Sequence, residues 1–255
     1  MPNIKSHNTS LYYESFGSGP VIVFCHGATG NGAVWWQQVP YFAKRFQVVV
    51  FDHRGFARSP CTPDEWRPEL FADDLLAILD DLSIEKANLV CQSMAGFTGM
   101  QAALKAADRV NSLVLSGTTA GIRSEGTEKV GAAIVAKIGR GEKLPVFPES
   151  FIEHECSLAF LYSQINAFNP GTIKNVFHRL GEVVVNAEQL ATFKTPTLLI
   201  AGECDAQVPA QLIHEASKQI PGSVVHEMAG VGHAPYYQVP TQFNELVEGF
   251  ISSCN

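Results

Sequence analysis

Asn88-Leu89-Val90-Cys91-Gln92-Ser93-Met94-Ala95-Gly96-Phe97 is the stretch on which the reading of this chain turns. An apolar, strand-like run, Ala87 to Cys91, stops at Ser93, and a helix-like run, Met94 to Ala107, begins with no loop between them. A serine on so abrupt a turn is pushed off both elements and presented at the edge of a sheet. The strict form of such a nucleophile elbow is G-x-S-x-G. Here Cys91 and Ala95 stand where the glycines would be. The physical demand is for small side chains where strand and helix pass closely; Ala95 meets it easily and Cys91 less well. A buried serine that simply ends a strand is the competing reading, so the stretch needs partners elsewhere in the chain.

Outward from it, the pattern is alternating. Ile4 to Asn8 and Leu11 to Ser15 alternate apolar and polar residues and predict an antiparallel hairpin. Val21 to Cys25, Gln47 to Phe51, Val110 to Ser116, Thr197 to Ala201 and Ser223 to Met228 read as further strands, several of them continuously apolar, as when both faces of a sheet are covered. Helical patterns lie between them, at Ala33 to Ala43, Glu69 to Leu82, Ala210 to Gln219 and Pro240 to Ser252. Such alternation predicts an α/β protein with a mostly parallel sheet and helices on both faces. From Thr119 to Asn186 strands give way to helical stretches, at Glu125 to Gly139, Phe151 to Phe168 and Thr172 to Leu180, with one weak strand at Glu182 to Val185. The division expected is a core of residues 1–118 and 188–255 with a helical cap, 119–187, inserted in it.

Composition excludes several classes. The net charge is -7 and no Lys/Arg block occurs, so a nucleic-acid partner has no cationic surface to bind. No apolar run is long enough for a transmembrane helix, and no membrane association is expected. Met1 to Ser10 is polar and lacks the apolar core of a signal peptide. Six cysteines lie far apart without metal spacing; those at or near strand ends, Cys25, Cys91 and Cys204, are expected to be buried and reduced, which points to the cytoplasm.

Sheets of this kind bind ligands beyond the carboxyl ends of their strands. His26, Asp52, Ser93, Asp205 and His233 each follow a predicted strand. Serine is a weak nucleophile that needs a base, and the base needs an orienting partner. His233, in Gly230-Val231-Gly232-His233-Ala234-Pro235, is the base candidate, because an imidazole titrates near neutrality. Asp205 is the acid candidate and Glu203 its rival; an Asx turn or helix cap is the alternative use of Asp205. Developing negative charge on an acyl carbonyl needs two N–H donors. Met94, opening the helix, supplies one, and Ala28, in the loop His26-Gly27-Ala28, the other. His26 itself reads as structural.

Ser, Asp and His in that order, each at a strand end, belong to one architecture. The chain resembles the α/β-hydrolase fold superfamily, of the capped serine esterase type. The residues that carry the likeness are His26-Gly27, Trp36, Asp52 to Ser59, the elbow at Ser93, Gly202 to Asp205 with Val208-Pro209, and Gly232-His233 with Pro235 and Pro240. The resemblance implies an eight-stranded sheet, a Ser93–His233–Asp205 triad, and hydrolysis of small to medium apolar esters through an acyl-enzyme, with no metal or cofactor. It casts Asp52-His53-Arg54-Gly55 as scaffold, with Arg54 pinning a loop beneath the site. Trp35, Trp36, Phe160 and Tyr162 are expected to contribute to the substrate pocket. Lactone opening or carbon–carbon cleavage would use the same triad, and a ligand-binding receptor on the same fold is the alternative of another class.

Overall fold

A computed structural model of the chain describes residues 3–169 and 177–254. Its strands are β1 (Asn3–Ser6), β2 (Thr9–Phe16), β3 (Val21–Cys25), β4 (Gln47–Phe51), β5 (Ala87–Gln92), β6 (Val110–Ser116), β7 (Thr197–Gly202) and β8 (Val224–Met228). They form one eight-stranded sheet in the order β1-β2-β4-β3-β5-β6-β7-β8. β2 pairs antiparallel with β1 and with β4, and every later pairing is parallel. The helices are α1 (Val39–Phe42), α2 (Phe71–Asp81), α3 (Ala95–Lys105), α4 (Glu125–Gly139), α5 (Glu149–His154), α6 (Cys156–Ala167), α7 (Ala187–Leu190), α8 (Ala210–Ser217), α9 (Pro235–Gln238) and α10 (Pro240–Ser253).

The continuous apolar strands divide their side chains between two cores, because successive residues of a strand point to opposite faces. Val23, Cys25, Val49, Phe51, Leu89, Cys91, Leu113 and Leu199 face one core, closed by Leu75, Ile78 and Leu79 of α2, Met100 of α3 and Ile213 of α8. Ile22, Phe24, Val48, Val50, Val90, Val114, Leu198 and Ile200 face the other, closed by Phe243, Val247 and Ile251 of α10 and by Trp35 and Phe42. The three α10 residues recur every fourth position and so form one stripe. Among the described residues no helix is long and apolar enough to cross a membrane.

Between β6 and β7 the described chain carries helices α4 to α7. α4 starts where predicted because Ser124 and Thr127 cap it reciprocally: the Thr127 N–H donates to Ser124 Oγ at 3.1 Å and the Ser124 N–H to Thr127 Oγ1 at 2.8 Å. Several elements depart from expectation. The helix read over Ala33 to Ala43 is a 3-10 turn, Gly32–Trp35, followed by the short α1, because Pro40 occupies the first turn of a new helix and cannot continue an old one. The helix read over Phe151 to Phe168 breaks at Glu155, whose ψ of 44° is not helical. That break turns α6 so that Tyr162 packs on Phe147 and Tyr237, with ring centroids 4.9 and 5.0 Å away. The weak strand at Glu182 to Val185 is a single bridge from Val185 to Ile122, and Glu182 closes a 3-10 turn, Phe177–Glu182. Most of the helix read over Thr172 to Leu180 lies outside the described residues. Cys25 and Cys91 are buried side by side on β3 and β5, but Cys204 is exposed, since the chain has left the sheet by then.

Candidate active site

The turn at Ser93 is as sharp as the sequence requires. Ser93 has a φ of 53°, in the left-handed region that non-glycine residues seldom enter. Its N–H donates to Ser116 O at 2.9 Å, and its carbonyl accepts from the Gly96 N–H at 2.9 Å, which locks the turn to β6 on one side and α3 on the other. The oversized Cys91 is accommodated from the helix side. A Cβ on Gly99 would come within 2.5 Å of Cys91 Sγ, so the missing side chain in α3 makes the room that a glycine in the strand would have made.

Three distant side chains meet at this turn. His233 Nε2 lies 2.9 Å from Ser93 Oγ. His233 Nδ1 lies 2.8 Å from Asp205 Oδ2. A carboxylate only accepts, so Nδ1 carries the proton and Nε2 presents its lone pair to the serine hydroxyl. The other carboxylate oxygen, Oδ1, accepts from the Gln207 and Val208 N–H groups at 2.8 and 2.9 Å. The Asx turn and the acid position are therefore both filled by Asp205, one oxygen each. Its rival Glu203 turns away and accepts from the Gly230 N–H. Asp205 and His233 are both buried, at 4% exposure. The imidazole packs against Gly117, where a Cβ would be 3.2 Å from Nδ1 and 3.3 Å from Cε1. The chain around His233 is tied down as well, since the His233 N–H donates to Val146 O at 2.8 Å and Gln207 Nε2 donates to Leu144 O at 3.0 Å.

Met94 opens α3 next to the serine, and Ala28 sits in the loop after β3. Neither N–H donates to a protein acceptor among the described residues. The two flank one apolar cluster, in which Met94 is buried with Phe56, Trp66 and Phe71, and Ala28 and Leu180 pack against it. The loop between them is fixed from below by the Asp52-His53-Arg54 run. Asp52 Oδ1 accepts from the Gly32 N–H at 2.7 Å while its other oxygen accepts from Arg58 Nε at 2.7 Å. The His53 N–H donates to His26 Nε2 at 2.9 Å, and His26 Nδ1 donates to Gly27 O at 2.8 Å. Burial holds His26 at a pKa of about 4, so it stays neutral and structural. Arg54 grips both oxygens of Asp74 at 2.6 Å and also donates to Glu65 O at 3.0 Å, pinning the Pro-rich loop to α2.

The pocket residues expected from sequence are placed otherwise. Trp35 has no exposed surface; its ring packs 5.0 Å from Phe24 and 4.3 Å from Tyr236, inside the core. Phe160 is 65% exposed, because Leu158, Tyr162 and Ile165 take the inward stripe of α6 and leave residue 160 on the outer face. Tyr162 is buried in the Phe147–Tyr237 cluster, and Trp36, 43% exposed, stands edge-on to Tyr237. Of the neighbours that touch His233, Gly117 and Val146 escape the sequence reading. A glycine directly after a strand was the available signal for Gly117; nothing local marks a strap such as Leu144 to Val146.

Comparison with known proteins agrees with the fold. The family described as alpha/beta hydrolase fold matches residues 20–157. A protein of Azorhizobium caulinodans, provisionally named carbamate hydrolase RutD, is 30% identical, with 98% of each chain covered. A pimeloyl-[acyl-carrier protein] methyl ester esterase of Aeromonas hydrophila is 27% identical over 95% of this chain and 99% of its own. Among solved structures, Est816, described as an N-acyl homoserine lactone degrading enzyme, superposes with a TM-score of 0.80 at 26% identity, covering 98% of this chain and 100% of its own.

Proposed function

We propose a function from one premise: the chain belongs to the alpha/beta hydrolase fold family. It is a serine hydrolase that cleaves carboxylic esters of small to medium apolar substrates through an acyl-enzyme. Ser93 Oγ attacks the ester carbonyl while His233 Nε2 takes its proton. The oxyanion rests on the Ala28 and Met94 N–H groups. His233 returns the proton to the leaving alkoxide. A water then gives its proton to the same imidazole and attacks the acyl carbon; as the acid leaves, His233 returns that proton to Ser93 Oγ. Asp205 keeps the imidazole in the required tautomer and stabilises the imidazolium.

The observation that carries this reading is the continuous relay, 2.9 Å from Oγ to Nε2 and 2.8 Å from Nδ1 to the carboxylate. The apolar surroundings of the two donors suit an uncharged acyl or alkyl group. A cavity of about 340 Å³ lies beyond the Ala28 loop, lined by Asn31, Ala33, Ala57, Arg58, Ile165 and Phe168, none of which belongs to the triad or its two donors. Arg58 is already engaged by Asp52, so it offers little to an anion. Residues 119–187 act as a cap over a core of 1–118 and 188–255, and the contacts of that segment with the base loop support this division.

Ser93→Ala should lower ester turnover by about a thousandfold or more while the protein stays folded. An unchanged rate would remove Ser93 from the reaction. The relatives include an esterase and a lactone-degrading enzyme, and the same acyl-enzyme serves both. A panel of aryl esters, lactones and diketones separates them by turnover: fastest turnover of the esters upholds the esterase reading, and fastest turnover of a lactone or diketone replaces it.

A further inference from the structure

Gln92 ends β5 immediately before the elbow serine, and its side chain does not simply fill a core. It is 3% exposed. Its Nε2 donates to the backbone carbonyl of His233 at 3.1 Å. Its Oε1 presses on Gly27, where a Cβ would come within 2.0 Å of that oxygen. Gly27 precedes Ala28, the second oxyanion donor. One carboxamide, rising from the residue next to the nucleophile, thus touches the loop of the base and the loop of the oxyanion hole.

The backbone of His233 is held at both ends. Its N–H is taken by Val146 O, and its carbonyl by Gln92. The first tie comes from the segment inserted between β6 and β7, the second from the elbow itself. Only the second refers the imidazole directly to the atom it must deprotonate. Gly27 is the complementary half of the device, because any side chain there would collide with the carboxamide.

We propose that Gln92 is a positioning residue that sets Nε2 of His233 and the N–H of Ala28 relative to Ser93 Oγ. The inference rests on the serine-hydrolase reading. The carboxamide reaches no reacting atom; it acts through the two loops. A near-attack geometry tolerates little error, and a displacement of about 1 Å costs roughly a hundredfold in rate. A side chain of similar length without a donor leaves the His233 carbonyl unpaired in a buried place, and the loop must shift to satisfy it.

The test uses the whole chain, a fluorophosphonate that labels Ser93, and an aryl acetate as substrate. Wild type is compared with Gln92→Met, which keeps length and loses the donor, with Gln92→Leu, which also lacks a donor, and with Gln92→His, which restores an N–H. Gln92→Met and Gln92→Leu should label and turn over about tenfold to a hundredfold more slowly, with KM within about twofold of wild type and a melting temperature lowered by a few degrees but still above the assay temperature. Gln92→His should recover most of the loss. If Gln92→Met does not fold, Gln92→Leu decides. Labelling of the folded donor-free variant at the wild-type rate overturns the inference alone. So does a loss that appears only in KM, or one that Gln92→His does not repair. A wild type that resists the probe overturns the serine-hydrolase reading, and this inference with it.

Discussion

Two histidines beside the site decide how the protein meets acid. Burial lowers His26 from 6.5 to about 4, and burial, with His26 and Arg54 close by, drives His53 well below its ordinary value. A proton on His26 Nε2 would set a donor against the His53 N–H that now donates to it. Both rings are therefore neutral in the folded state, while the unfolded chain takes up protons below about pH 6.5. Their contribution is fully present above that pH and is lost as pH falls toward 4. For His26 alone the loss amounts to about 3 kcal/mol. Melting temperature against pH should fall through this window, and His53→Phe, which removes one of the two titrating groups, should flatten the slope. An unchanged slope would mean that His53 takes up its proton alike in the folded and the unfolded chain. Arg54 makes a different prediction at the same scale. It and Asp74 are each 1% exposed, so Arg54→Met strands a buried carboxylate and should cost about 3–5 kcal/mol by denaturant unfolding.

At the scale of elements, the contact between β5 and α3 sets how the serine is presented. Cys91 fills the strand side and Gly99 leaves the helix side open, with 2.5 Å between Sγ and a would-be Cβ. Gly99→Ala should therefore overpack the interface and destabilise by about 1–3 kcal/mol. Cys91→Ala in the same chain should recover part of that loss, a coupling that a double-mutant cycle reads directly. Additive effects would show that the two positions do not meet. The elbow was legible in sequence because a strand pattern runs into a helix pattern without a gap. The compensation was not, since Cys91 and Gly99 lie on different elements and nothing local links them.

On the scale of the molecule, α6 spans the site from one loop to the other. Near its start, Leu158 O accepts from Tyr237 Oη at 2.9 Å, four residues beyond His233. Near its end, Ile165 O accepts from Asn31 Nδ2 at 2.9 Å. Just past the helix, Asn169 accepts from the Ala57 N–H at 3.1 Å and donates to Thr29 O. The loops that hold His233 and Ala28 are thus joined through α6. Asn31→Ala and Tyr237→Phe should each cost about 1 kcal/mol and speed amide hydrogen exchange in Ala159–Ile165. Exchange at the wild-type rate in both variants would show that these bonds do not hold α6.

By itself the sequence determined the class of sheet and the strand ends that carry Ser93, Asp205 and His233. Each is written locally, in hydrophobic period and in a polar residue placed where a strand stops. Only the tertiary structure decided that Asp205 rather than Glu203 meets the imidazole, that Trp35 and Tyr162 belong to packed interior, and that Gln92 reaches His233. Those outcomes depend on which way a side chain points once strands far apart in the chain lie side by side. Periodicity fixes the face of an element but not the neighbour it finds there.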